Sequence, residues 1–236
     1  MNLTKILKRN YKVLVAAPHA DRKNQTIEDY LNRVKNLTYH NYDVLIVDNS
    51  STRKNYKWLL RQGINAIYVK PKNKKSQLFI AESHEAIRKY ALENNFDFIL
   101  HLETDVFPPH DIIERLLIHQ VAVVSAPYHI NFGHWSHLMI QGIEEFGEIR
   151  ETYNIDNGSD MLMVDGKLKK VYAAGLGCCL IHKSVLNQIK FRWENGASPH
   201  PDSFFCADLA LLDIPQYLDT SLLCEHRNTE WLSNPN

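Results

Sequence analysis

His101-Leu102-Glu103-Thr104-Asp105-Val106-Phe107-Pro108-Pro109 decides how the rest of the chain is read. Asn95-Phe96-Asp97-Phe98-Ile99-Leu100 precedes it, an apolar, aromatic-rich run with the length of a buried strand. Pro108 and Pro109 follow and can open a helix carrying Ile112, Ile113, Leu116 and Leu117 on one stripe. Two acids one residue apart therefore stand where a strand ends and a helix begins. In an open α/β sheet that is where ligands bind. Carboxylate oxygens there suit a hard divalent cation, which in turn can hold a diphosphate. A Glu/Asp pair on a solvated loop is the plainer alternative, because short acidic motifs are common.

Working back from this stretch, strands and helices alternate. Tyr11–Ala17 reads as a buried strand ending at Pro18, and Ile27, Tyr30, Leu31 and Val34 recur at helical spacing over about 24–36. Asp43–Asp48 is a second strand that ends in an acid. Asn49-Ser50-Ser51 is turn chemistry, with Ser50, Ser51 or Thr52 placed to cap a helix through Trp58 and Leu59. Asn65–Val69 is a third strand. Lys70, Lys72, Lys74 and Lys75 mark an exposed loop, and Ser76 to about Asn94 a third helix. This alternation predicts a parallel sheet covered on both faces, with right-handed crossovers.

Beyond the acidic stretch the rhythm changes. Val121–Pro127 is another buried strand, whereas 129–160 lacks periodicity and reads as a functional loop or lid. Asp165-Gly166 is a hairpin signal. Short helices follow over Lys183–Ile189 and near Asp202–Leu212, with strands around Gln216–Leu218 and Ser221–Glu225. No repeat or linker interrupts the 236 residues, which read as one domain with a nucleotide-binding half over about 11–128 and an acceptor-binding half over about 129–236.

Composition bounds the function. Lys+Arg and Asp+Glu are equal at 27 each, so the overall charge gives no sign of nucleic-acid binding. No run of about 18 apolar residues suggests a membrane span, and the polar N-terminus does not read as a secretory signal. Cys178, Cys179, Cys206 and Cys224 lie in apolar surroundings without CxxC spacing. They read as buried thiols in a reducing, cytoplasmic setting.

In these residues the sequence resembles the GT-A-fold nucleotide-sugar glycosyltransferases, in particular their large family 2-like group. Four matches in order carry the resemblance across nearly the whole chain. Val13–Pro18 is similar to the opening strand whose end, here Ala17 and Pro18, cradles the nucleotide base. Val44–Ser51 is similar to the strand ending in Asp-Asp/Asn-x-Ser, whose first acid, here Asp48, bonds the base or ribose. Phe98–Asp105 is similar to the strand and metal-binding Asp-x-Asp motif, with Glu103 at the first acid, Thr104 between and Asp105 at the metal-binding position. Pro201–Asp208, followed by Cys224-Glu225-His226, is similar to the acidic helix whose catalytic acid precedes a His by about two dozen positions; Asp202 and His226 are 24 apart.

The resemblance implies an α/β fold with a mostly parallel, Rossmann-like central sheet, helices on both faces and a small C-terminal antiparallel hairpin region. It implies transfer of a sugar from a UDP- or GDP-sugar to a hydroxyl acceptor, carbohydrate, lipid-linked or other. Asp202 would be the general base of an inverting reaction. Asp105 and His226 would hold Mn2+ or Mg2+, and Ala17, Pro18, Asp48, Glu103 and Thr104 the nucleotide. Trp135 is expected as a sugar platform, and Gly177, with Gly175, as room for close backbone approach at the acceptor site. Acceptors of this kind leave peripheral membrane contact open.

Departures from the pattern limit what is carried over. Pro18-His19-Ala20-Asp21 replaces the usual Pro-x-Tyr-Asn-Glu, so stacking of the base on a tyrosine is lost or passed to another side chain. Ser83-His84 stands where family members often have Arg-Asn, and Pro201-Asp202 keeps only the second of two acids. No Gln-x-x-Arg-Trp motif is present, which argues against a processive synthase. Two other readings compete: a sugar nucleotidyltransferase, which would want a glycine- and basic-rich loop after the first strand, and a catalytically silent nucleotide- or sugar-binding domain. Single residues have plain readings too: Asp202 as a helix cap, His226 as a histidine at a strand end, the lysine run as a solvated loop.

Overall fold

The computed structural model describes residues 9–71, 76–131, 136–145, 148–150, 164–194 and 200–228. One ten-stranded sheet dominates it. Its first half is built as the alternation requires: β1 (Val13–His19), α1 (Asn24–Lys35), β2 (Tyr42–Asp48), α2 (Lys54–Arg61), β3 (Asn65–Tyr68), α3 (Ser76–Glu93) and β4 (Phe98–Leu102). These four strands are parallel, in the order β3-β2-β1-β4. Alternate residues of β1 supply opposite faces. Val13, Val15 and Ala17 pack with α1 residues Ile27, Tyr30, Leu31 and Val34, whereas Leu14 and Ala16 pack with Ile87 and Ala91 of α3. Each such buried Val, Leu or Ile side chain contributes roughly 1.5–3 kcal/mol.

The strand β1 runs two residues beyond its expected last residue, Ala17, and so takes in Pro18. Its register with β4 ends at Ala16↔His101, so past that point only β2 pairs with it. Pro18 therefore occupies an edge-like position where a missing N–H is tolerated.

The second half is mixed. After β5 (Val106–Phe107) and α4 (Ile112–Leu117), β6 (Val123–Ser125) enters the sheet parallel to β4 but not beside it. Between them lies β12 (Cys178–His182), antiparallel to both, which precedes α5 (Lys183–Leu186). The region expected to be irregular from residue 129 carries β7 (His129–Asn131), β8 (Ser136–Leu138), β9 (Ile140–Glu145) and β10 (Glu148–Arg150). Glycines 133, 142 and 147 interrupt its hydrophobic pattern, and non-local pairing makes the strands: β9 joins the main sheet against β11 (Leu168–Ala174). Gly166 turns at φ 80°, as the Asp-Gly signal anticipates, but the arm of that hairpin preceding Val164 lies outside the described residues.

Helix α6 (Pro201–Leu211) and β13 (Gln216–Asp219) follow. The small antiparallel element expected near the C-terminus is β14 (Glu225–His226), and its partner is β5. Among the described residues no helix is long and apolar enough to cross a membrane.

Candidate active site

Strand ends supply the first wall. Asp48 closes β2 with its carboxylate fully buried. Oδ1 accepts from Ser50 N at 3.1 Å and Ser50 Oγ at 2.5 Å, and Oδ2 accepts from Tyr56 N at 3.0 Å. Asp48 thus serves the first turn of α2, where an anion is favoured, and of the three expected capping residues Thr52 joins it, its Oγ1 accepting from Lys54 N at 3.4 Å. Burial pushes its pKa up, and these bonds only partly offset the rise. Its neighbour Asn49 faces the cavity described below.

The turn after β1 is tied to this wall. His19 Nε2 donates to Asn24 Oδ1 at 3.1 Å, which leaves Nδ1 to accept from Thr104 Oγ1 at 3.2 Å. Burial lowers the His19 pKa to about 4, so the ring is neutral near pH 7. Ala17 and Thr104 are fully buried behind the wall, whereas Pro18 and His19 line the cavity.

Glu103 and Asp105 follow β4. Glu103 N donates to Gly177 O at 2.9 Å, so the inserted strand β12 fixes the height of the acidic loop. Asp105 is fully buried, and its carbonyl accepts from Arg227 N at 2.9 Å. That bond, with the register His226↔Val106 between β14 and β5, sets His226 beside Asp105. The two approach at 3.5 Å, Nε2 to Oδ2, while His226 Nδ1 donates to His129 O at 2.6 Å. Burial lowers the His226 pKa, and the Asp105 carboxylate more than restores it, for a net rise. Asp105 Oδ2 has no hydrogen-bond donor among the described residues. A carboxylate oxygen so placed, beside an imidazole nitrogen oriented by a bond on its far side, fits a divalent ion such as Mn2+. Among the described residues no group of three or more His, Cys, Asp and Glu side chains forms a metal cage, so an ion here would need further ligands from outside this set.

Lys23, a residue no sequence pattern singles out, lies across the two acids. Its Nζ donates to Glu103 Oε2 at 2.7 Å and to Asp105 Oδ1 at 2.9 Å. Burial pushes the Glu103 pKa up, but the ammonium outweighs it and holds the carboxyl at about 2.

Asp202 opens α6 on the opposite wall, after Pro201 at the first helical position. Oδ2 accepts from Leu176 N at 3.0 Å, and Oδ1 bonds His200 Nδ1 at 3.0 Å. Burial raises the Asp202 pKa, and His200 reverses the shift to a net lowering. A second acid on the same helix, Asp208, is bound to Arg192 Nη2 at 2.8 Å and does not line the cavity.

Between these walls is a cavity of about 470 Å³, within the range of small-ligand sites. Pro18, His19, Lys23, Asn49, Glu103, Tyr128 and His226 line it, and so do His200 and Asp202 from the start of α6. The sequence-derived Glu103, Asp202 and His226 are therefore brought together, with Asp105 directly behind. At Gly177 the close approach is made by a side chain, Tyr128. Its N–H donates to Tyr128 Oη at 3.0 Å, and a methyl group on Gly175 or Gly177 would run into the Tyr128 ring and hydroxyl. Trp135, His134, Lys74 and Lys75 lie outside the described residues. His200 and Tyr128 were missed because nothing about a Pro-His-Pro turn or a Tyr after a strand marks a site.

This fold is that of the GT-A glycosyltransferases. Similar solved structures include GalNAc-T7 with UDP, GalNAc and Mn2+ (TM-score 0.63, 8% identity, 92% of this chain and 44% of that one). A second is S. aureus TarS 1–349 in complex with UDP-GlcNAc (0.58, 13%, 95% and 61%). A third is the mannosyltransferase PcManGT from Pyrobaculum calidifontis in complex with GDP-Man and Mn2+ (0.58, 13%, 95% and 62%). The chain thus spans less than two thirds of the length of each. No known family profile matches the sequence, and no curated protein matches it.

Proposed function

We propose that this chain is a metal-assisted glycosyltransferase that takes a sugar from a UDP- or GDP-sugar to a hydroxyl acceptor, with inversion at the anomeric carbon. The observation that carries the reading is the convergence of Glu103, Asp105 and His226 on one wall of the cavity and Asp202 on another. The similar structures with UDP, UDP-GlcNAc and GDP-Man support the donor class.

Pro18 and Asn49 would touch the nucleotide, with Ala17, Asp48 and Thr104 holding that wall in shape and Glu103 reaching the ribose or a metal-bound water. Asp105 and His226 would hold Mn2+ or Mg2+, which when bound offsets the charge developing on the diphosphate as the sugar leaves. Asp202 would accept the acceptor hydroxyl's proton. His200, bonded to Asp202, keeps that carboxylate ionised and oriented. Tyr128, seated against Gly175 and Gly177, would form the floor of the acceptor side.

Calorimetric titration with UDP and with GDP, each in Mn2+ and in EDTA, tests the reading. One nucleotide should bind at least tenfold tighter in Mn2+, and Asp105→Ala should erase that increment. Binding of neither nucleotide would sink the donor reading. An undiminished Mn2+ increment in Asp105→Ala would remove the metal assignment alone.

A further inference from the structure

Lys23 is 6% exposed, yet its side chain ends in an ammonium. A lysine in a turn between a strand and a helix ordinarily turns its charge to water. Here the backbone holds it otherwise: Lys23 N donates to Ala20 O at 2.9 Å, and Lys23 O accepts from Thr26 Oγ1 at 2.9 Å. The ammonium is thereby delivered to Glu103 and Asp105, 80 and 82 positions away in the chain. Burial of such a charge is unfavourable unless opposing charges and hydrogen bonds compensate it. Lys23 meets that requirement with both acids of the loop, at the cavity wall.

The geometry also separates it from the metal position. Lys23 takes Oδ1 of Asp105, and His226 faces Oδ2. The two edges of one carboxylate are thus divided between a cation carried by the chain and the edge suited to a divalent ion. Without the ammonium, an incoming diphosphate would meet two negative charges; with it, it meets one.

We propose that Lys23 is a resident cation of the donor site, neutralising half the charge of the Glu103–Asp105 pair so that the cavity accepts a nucleoside diphosphate even without a divalent ion. The proposal rests on the donor reading above. Lys23 has two consequences: nucleotide binding survives chelation in weakened form, and the nucleotide-free protein binds a divalent ion poorly because a positive charge is already there.

The test uses the full chain as wild type, Lys23→Met and Lys23→Arg, each first checked for folding by thermal unfolding. UDP and GDP are titrated calorimetrically in EDTA and in Mn2+, and Mn2+ alone is titrated by electron paramagnetic resonance. The nucleotide that binds wild type in Mn2+ should also bind it saturably in EDTA. Lys23→Met should lose at least tenfold of the EDTA affinity and gain at least tenfold in Mn2+ affinity without nucleotide, while Lys23→Arg stays near wild type in both. Wild-type binding that vanishes in EDTA but persists in Mn2+ overturns the proposal and leaves the donor reading standing; this outcome needs no variant. Unchanged EDTA and Mn2+ affinities in folded Lys23→Met overturn it as well, reducing Lys23 to a structural counter-ion. No nucleotide binding in either condition removes the donor reading and this proposal together.

Discussion

The two acidic centres lining the cavity are neutralised in opposite ways. Glu103 and Asp105 face an ammonium recruited from 80 residues away, almost wholly out of water and charged throughout the physiological range. Asp202 faces an imidazole two positions away in its own turn, with 42% of that side chain exposed; burial lowers the His200 pKa, and the bond to Asp202 more than restores it. A fixed counter-charge suits a wall that only has to receive an anion. A titratable one suits a carboxylate that must take up a proton and give it back. Under both lies a dry floor: His84 and His101 meet Nδ1 to Nδ1 at 3.2 Å and pack on Phe191. The His84 pKa falls, first through burial, to about 4.

The comparison breaks most visibly at Asp202. Asp202→Asn keeps the shape and removes the base, so kcat should fall about 10²–10⁴-fold while nucleotide affinity stays within a few-fold. Initial rates with the matching nucleotide sugar check this, and a loss below tenfold would return Asp202 to the role of a helix cap.

The floor gives the next effect. His84 is neutral in the fold with a pKa near 4, against about 6.5 when unfolded, so the unfolded chain takes up the extra proton. Its contribution is intact above pH 6.5 and is lost as pH falls towards 4, by an amount on the order of 3 kcal/mol. His84→Phe should therefore flatten the decline of Tm between pH 7 and 4.5. An unchanged slope would place the acid sensitivity elsewhere.

The smallest effect sharpens the contrast itself. His200→Gln removes the largest opposition to burial of Asp202, so the Asp202 pKa should rise and the acid limb of kcat/KM should move to higher pH. A limb that stays put would mean that His200 does not govern the base.

How much of this was legible follows from how local each feature is. The strands and helices through Asp105 are written in short-range periodicity, and the structure follows them to within a residue or two at most ends. The acids at the strand end were legible because strand termination is itself local. The insertion of β12 between β4 and β6 was not, since an antiparallel strand buried on both faces has the same apolar run as a parallel one. The strands after residue 129 were missed for a related reason: they exist through pairing with β11 and with one another, not through their own pattern.

By itself, then, the sequence determined that a parallel α/β sheet would carry Asp48, Glu103 and Asp105 at its strand ends, because alternation and strand length are properties of neighbouring residues. Only the tertiary structure decided that Lys23 would sit across two of those acids, that a bond from Arg227 to Asp105 would bring His226 alongside, and that His200 would hold Asp202. These are contacts between elements, and what fixes them is the burial of charge, which no local pattern records.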